Sequence, residues 1–289
     1  MNKLTLFIFT FLGFLSYSQI VNGTIVSSED NSPIGFVKIG VENLAIGNLT
    51  DENGNFKIDL TGIDKNSKIK IEVAGFETYM NDVSTFTVEG PIKISLNPKI
   101  TNIEEVSILG KNYIEQNLGS NSKMKKPNIL FISRNSDYAK KNLSKEQLEK
   151  IQNPEVAIQI DSKKKSKILR INMNFAKFEL TNSIHSRFTI YSEKNGLPNE
   201  IINSEDILFD INKNNIKDGV FTLNVSDKNI WIKDKIFIAY QILEPNFNDE
   251  FRICAGLFGK GFLRVYVENW QKTSAGVVPA INIDVKTEK

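Results

Sequence analysis

The chain is 289 residues long, with 40% hydrophobic residues, 24% charged residues and a formal net charge of +2. That length suits one large or two ordinary domains, and so small a net charge gives no electrostatic case for nucleic acid or a strongly acidic surface as partner. Cys254 is the only cysteine, which excludes an intramolecular disulfide and leaves hydrophobic cores to carry stability.

Residues 1–18 read as a signal peptide. Lys3 gives a positive start, Leu4 to Leu15 is apolar apart from Thr5, Thr10 and Gly13, and Ser16 and Ser18 are small residues suited to a cleavage site before Gln19. The apolar run is shorter than the ~20 residues a spanning helix needs. No cysteine follows it, so a lipoprotein signature is absent. No second long apolar run exists, so no transmembrane helix is expected. The expectation is export to the periplasm, the outer membrane or the cell surface.

Residues 19–98 carry short strand patterns separated by turn residues. Ile20–Val26, Phe36–Val41, Lys68–Val73 and Ile92–Leu96 are strand-like, and Ala74–Tyr79 reads as a turn into another strand. Gly47 to Leu60 reads as a hairpin, in which Asp51, Asn53, Gly54 and Asn55 supply the turn. Beyond the turn, Phe56, Ile58 and Leu60 alternate with Lys57 and Asp59. Six or seven such strands predict a β-sandwich. Asp51, Asn53 and Asn55 also mimic the start of a calcium loop. Phe56 stands where that loop needs glycine, and Gly62 where it needs glutamate, so the turn reading stands.

The same residues resemble a carboxypeptidase regulatory-like domain, a transthyretin-like, carbohydrate-binding-like sandwich. The resemblance rests on Gly23, Pro33, the Gly47, Thr50, Asp51, Gly54, Phe56 series ("G-x-x-T-D-x-x-G-x-F") and Gly75-Phe76. It implies a seven-stranded sandwich and says little about function, because such domains are appended to transporters, peptidases and adhesins alike.

Residues 99–128 are expected to be a linker. Val106–Leu109 is strand-like and resembles the segment that follows this domain in outer-membrane transporters. The roughly 180 residues that follow are too few for a 22-stranded plugged barrel. "NLGSNSKMKKPN" is polar and basic, as in a mobile linker.

Residues 129–289 are read as a second β domain, a jelly-roll-like sandwich. Ser144–Ile151 is the one expected helix, with Ser144 and Gln147 at capping-box spacing. Expected strands include Val156–Ile160 and Ile168–Phe175, separated by a basic turn at Asp161–Lys165. Others are Arg187–Tyr191, Ile207–Ile211, Gly219–Val225, Leu263–Val267 and Ile281–Val285. The apolar run Ile236–Leu243 suits a central strand buried on both faces. This half also resembles the C-terminal domain that follows regulatory-like domains in exported proteins of one group of Gram-negative bacteria. The matching stretches are "RFTIYSEKNGLPNEII", "GVFTLNVSDKNIWI" and "FLRVYVENWQKT" with "INIDV".

No catalytic residue, metal site or cofactor is assigned. A metallocarboxypeptidase zinc site needs two histidines and a carboxylate, and His185 is the only histidine. No nucleophile elbow or phosphate loop is present, and Cys254 lies in an apolar setting that suits an inert thiol. Glu193, Glu200, Glu205, Asp206, Glu244, Asp249 and Glu250 are carboxylates whose spacing pairs no two of them. Exposed aromatics suit sugar binding, and Trp270, Tyr191 and Trp231 are the binding candidates, with Tyr240 and Tyr266 behind them. The expectation is a non-catalytic exported envelope protein that binds or scaffolds a protein or glycan partner, in association with the outer membrane. The alternative is a carbohydrate-active or peptidase-accessory protein with weak hydrolase chemistry in its second domain.

Overall fold

The computed structural model describes residues 19–88, 90–99, 113–149, 151–244, 247 and 250–289. The signal-peptide reading at 1–18, the strand-like stretch at 106–109 and Asp249 lie outside them.

The first unit contains β1 (Ile20–Ser27), β2 (Lys38–Val41), β3 (Gly47–Leu49), β4 (Asn55–Asp59), β5 (Lys68–Glu72), β6 (Tyr79–Asp82) and β7 (Ile92–Leu96). One sheet runs β4-β1-β7 and the other β3-β2-β5-β6. Within the first sheet, β1 pairs antiparallel with β4 and parallel with β7. Ile25, Ile39, Phe56, Ile71 and Phe86 fill the space between the sheets, so the seven-stranded sandwich is as expected.

The hairpin reading needs correction. β3 pairs with β2 and β4 pairs with β1, so the Asp51 turn joins strands of opposite sheets and forms an arch over the end of the sandwich. The turn chemistry is local and intact. Asp51 Oδ1 accepts from the backbone N–H groups of Asn53 and Asn55 at 2.9 and 2.8 Å, and its Oδ2 accepts from Asn55 Nδ2. Those hydrogen bonds hold its carboxyl below the usual aspartate range. Gly54, at φ +75°, supplies the left-handed step. Sequence alternation sees each arm's buried face but not which partner strand it finds.

The second unit contains β8 (Tyr113–Gly119), β9 (Asn128–Ile132), α1 (Asp137–Asn142), α2 (Lys145–Glu149), β10 (Glu155–Phe178), β11 (Ile184–Lys194), β12 (Leu197–Ile201), β13 (Ile207–Ile211), β14 (Ile216–Lys217), β15 (Val220–Asn224), β16 (Trp231–Ile242), β17 (Glu250–Gly256), β18 (Gly261–Arg264), β19 (Gln271–Lys272), β20 (Val278–Pro279) and β21 (Ile281–Glu288). Together with the first unit this makes the chain all-β, with two short α-helices among the described residues. No described helix is long and apolar enough to cross a membrane.

All fourteen strands of the second unit join one hydrogen-bonded network through β10. β10 is 24 residues long and pairs with β15, β16, β17, β18 and β21. The basic turn expected at Asp161–Lys165 is therefore a bulge inside a single strand. Register shifts between Ser162 and Ser166, opposite Asp234 of β16, whose φ is +61°. Ser162 Oγ and Ser166 Oγ both donate to the Lys164 carbonyl, and Ser166 Oγ also meets Thr287 Oγ1 at 2.8 Å. The serines satisfy the extra backbone internally, so the strand bends without turning back.

Two further differences follow from polar side chains that find partners. Within the stretch expected as a mobile linker, β8 pairs along β21, and Asn117 Nδ2 donates to Asn282 Oδ1 and Asp284 Oδ1 at 2.6 and 2.8 Å. A row of asparagines reads as solvated in sequence but forms a ladder in the sheet, and Thr222 and Asn172 extend it. The Ser144 helix forms as α2 with its reciprocal cap: Gln147 N donates to Ser144 Oγ and Ser144 N to Gln147 Oε1. α1, capped by Ser136 Oγ on Ala139 N, had no apolar periodicity to announce it.

Candidate functional site

Alternation decides what the two units show each other. On β2 and β5, Ile39 and Ile71 point into the first core, so Lys38 and Glu72 stand on the opposite face, directly across from each other in register. On β10 and β18 of the second unit, Glu155 and Arg264 are likewise a register pair, and Val156 and Ile158 face the main core behind them. These two faces meet. The Cβ that Gly47 lacks would stand 2.9 Å from the Tyr266 side chain, so bare backbone lets the second unit approach.

Four charges are sealed at the junction. Lys38 Nζ lies 3.1 Å from Glu72 Oε1 and 3.0 Å from Glu155 Oε2. Arg264 Nε lies 3.0 Å from Glu155 Oε2, and its Nη2 bonds Glu72 Oε1. Tyr191 Oη sits among them, accepting from Lys38 and Arg264 at 2.7 and 2.8 Å and donating to Glu155 Oε1 at 2.7 Å. Lys70 reaches the second Glu72 oxygen from the rim.

The charges balance, two cations against two anions. Burial opposes ionisation of Glu72 most strongly, yet Arg264, Lys38 and Lys70 together hold its carboxyl well below the usual range. The same contest, with Lys38 and Arg264 as the cations, leaves Glu155 depressed as well. Burial and the Arg264 charge lower Lys38 despite its two carboxylates. Burial pushes the Tyr191 hydroxyl well up, which keeps it a donor. Around this cluster, Arg187 Nη2 donates to the Phe36 carbonyl at 2.7 Å and the His185 ring packs on Phe36.

Beside the junction lies a cleft of about 710 Å³. The arch contributes Asn48, Asp51 and Glu52, and the second unit contributes Arg134, Glu244 and Tyr266. Asn153, also in the wall, is fixed by a two-way bond with the Ile132 backbone. Tyr266 is held at φ +49°, and burial raises its hydroxyl. Carboxylates, amides and the aromatic rings of Phe36 and Tyr266 in a partly open groove suit a ligand rich in hydrogen-bond donors.

The sequence candidates scatter. Tyr191 is 0% exposed and belongs to the charge cluster, so it offers no surface ring. Trp270 lies edge-on to Tyr191 with ring centroids 5.5 Å apart, and the Arg264 guanidinium stands 4.5 Å from its ring. It lies in the loop between β18 and β19, and its ring folds back over the junction. Trp231 lies on β16, with Lys165 over its ring and its Nε1 on Asn229. Tyr240 is a core residue bonded to Ser186.

Most of the candidate carboxylates are engaged. Glu200 meets Lys99, Glu205 meets Lys228, Asp206 meets Arg187, and Glu250 meets Lys177 and Arg252. Glu193 accepts from Gly196 N. Among the described members of the set, Glu244 alone lines the cleft. His185 Nδ1 pairs with Asp210, and burial raises the Cys254 thiol. Among the described residues no three His, Cys, Asp or Glu side chains gather to hold a metal.

Sequence reasoning missed Lys38, Glu72, Glu155 and Arg264. Lys38, Glu72 and Arg264 occupy polar positions in alternating strands and Glu155 stands just before the expected strand Val156–Ile160; alternation places such residues off the core without saying what covers them.

Residues 21–108 match the family model for a CarboxypepD_reg-like domain. No curated protein matches the chain.

Proposed function

We propose that the CarboxypepD_reg-like domain serves here as a fixed scaffold for the second unit, and that the chain is a non-catalytic binding protein of the cell envelope. Domains of this kind are regulatory and not catalytic, which supports a binding role for the first unit. The observation that carries the reading is the sealed Lys38–Glu72–Glu155–Arg264 cluster. A buried ion quartet is an expensive way to gain stability but a selective way to fix geometry, because only one docking pose satisfies all four charges. A fixed pose is what holds the arch against Tyr266 and keeps the cleft open. The partner, a protein segment or a glycan, binds in that cleft, and the N-terminal signal directs the protein to the envelope.

The test is a glycan array including peptidoglycan fragments, run beside cross-linking to envelope proteins, with the parent chain and the cleft variants Tyr266→Ala and Glu244→Lys. A ligand bound by the parent and lost in both variants supports the reading. A ligand bound equally by all three places the site elsewhere.

A further inference from the structure

One end of the second unit combines features that the cleft does not use. β17 ends at Gly256 and turns through Leu257, Phe258, Gly259 and Lys260 into β18. Phe258 is 94% exposed, the most exposed large apolar side chain among the described residues, and Leu257 is 42% exposed. Phe258 is also held at φ +62°, a backbone region that bulky residues avoid. The loop does not reach this conformation by being loose. Gly259 N donates to Gly276 O at 3.0 Å, and the facing loop carries Ala275 and Gly276 at φ +52° and +64°. Two strained loops brace each other and present the ring outward.

The segment before β9 runs alongside. Ser122 Oγ donates to the Ala255 carbonyl at 2.8 Å, Ser120 packs on Gly256, and Asn128 pairs with Cys254. This brings Lys123, Met124, Lys125 and Lys126 to the same end of β17 as the Phe258 tip. All four side chains are exposed, and Lys260 is exposed beside them. Among the described residues none of these four lysines has a carboxylate partner.

Beneath them is a second pocket, of about 450 Å³, lined by Lys123, Lys125, Lys177, Asn174, Asp218 and Cys254, among others. Asn174 is 1% exposed. Its Nδ2 donates to Asn121 and Ser122, while its Oδ1 is buried with no hydrogen-bond partner. A buried acceptor without a donor is costly, and an ordered water or the hydroxyl or N–H of a ligand at this wall of the pocket meets the need.

We infer that this end of the molecule docks on an anionic lipid surface. Phe258, Leu257 and Met124 enter the headgroup region, the lysines meet lipid phosphates, and the pocket takes a headgroup whose hydroxyl donates to Asn174 Oδ1. Apolar side chains at a tip ringed by lysines are the chemistry of interfacial binding, in which buried apolar area and attraction to anionic headgroups add. A phosphoglycerol headgroup supplies both the anion and the hydroxyl. This surface is separate from the cleft and does not depend on what the cleft binds.

The test is co-sedimentation of the chain from Gln19 to Lys289, which contains every described element and lacks the apolar N-terminal run. The probes are vesicles of phosphatidylglycerol with phosphatidylethanolamine, and vesicles of phosphatidylcholine. Binding is expected to the first and not the second. Phe258→Gly removes the ring and suits the left-handed backbone, so the fold is retained while binding falls about ten-fold or more. The triple variant Lys123→Gln, Lys125→Gln, Lys126→Gln is expected to lose on the order of a hundred-fold and to flatten the salt dependence. Equal binding to both vesicle types, unchanged binding by Phe258→Gly, or full displacement by soluble glycerol phosphate overturns the inference. Tyr266→Ala is expected to bind vesicles like the parent, which separates this result from that of the cleft.

Discussion

Lys38 and Glu155 lie 117 residues apart in the chain, and their charged atoms are 3.0 Å apart. Each is also half of a register pair in its own sheet, Lys38 with Glu72 and Glu155 with Arg264. The junction is thus two cross-strand ion pairs laid face to face, each cation shared between an anion of its own unit and one of the other. Removing any member leaves an uncompensated charge in a closed space.

Glu155→Gln is expected to destabilise the protein by about 3–5 kcal/mol, the usual cost of breaking a buried ion pair from one side. Replacing all four charges together with apolar residues of similar size is expected to cost far less. Urea denaturation of both variants checks this. A single variant that unfolds like the parent would show that the cluster carries no structural weight.

Acid acts on the same cluster. Glu72 and Glu155 titrate below the usual glutamate range in the folded chain, so their unfolded forms bind protons more readily. Their contribution is complete above the unfolded value, about pH 4.3, and is lost as pH falls through the depressed folded values. Through these two carboxylates, thermal stability is therefore expected to be level from about pH 5 to neutrality and to drop steeply below about pH 4. In a Trp231→Phe background, Trp270 fluorescence should shift at the same point, because its ring lies on Arg264. A melting profile flat down to strong acid would contradict the assignment.

Gly47→Ala tests the closeness of the units. The added carbon meets the Ile39 carbonyl at 2.5 Å and Tyr266 at 2.9 Å. Neither neighbour retreats without moving a strand or the second unit, so a loss of about 1–3 kcal/mol is expected, read by thermal denaturation.

Asp51→Ala removes the carboxylate that closes the arch. A loss of about 1 kcal/mol is expected, comparable with other carboxylates that cap backbone N–H groups. Asp51→Asn retains one acceptor and should lose less. Differential scanning calorimetry separates the two.

Most of the first unit was readable because its residues obey one local rule, alternation with turn residues between. Ile92–Leu96 was recovered at its bounds, and Phe56, Ile58 and Leu60 face inward as their spacing says. The run Ile236–Leu243 is doubly buried as its sequence says, since one side meets the main core and the other, through Phe237 and Ala239, meets Ala157, Tyr191 and Phe262. What failed was what depends on a partner far along the chain. The Asp51 turn looks the same whether its arms pair with each other or with opposite sheets. Lys163, Lys164 and Lys165 look like a turn because no local signal reveals that Ser162 and Ser166 keep the strand going. Tyr191 and Trp270 were singled out as large aromatics, and they do come together, but against a guanidinium inside the molecule. Lys38 stands between Val37 and Ile39 as any wet-face lysine would, and only the second unit makes it a buried one.

β10 also sets the tempo at which the second unit assembles. Its two edges are filled by strands drawn from residues 220 through 288, so its backbone groups stay unsatisfied until pairings close across separations that run from 46 positions (Asn174 with Val220) to 121 (Ser166 with Thr287). Loop-closure entropy is spent long before such contacts return it, which makes this a slow nucleus of high contact order. The first unit, closed within residues 20–96, faces no such delay. The faster half is then present as a finished template, with Lys38 and Glu72 already paired across their strands, when the slower half arrives with Glu155 and Arg264.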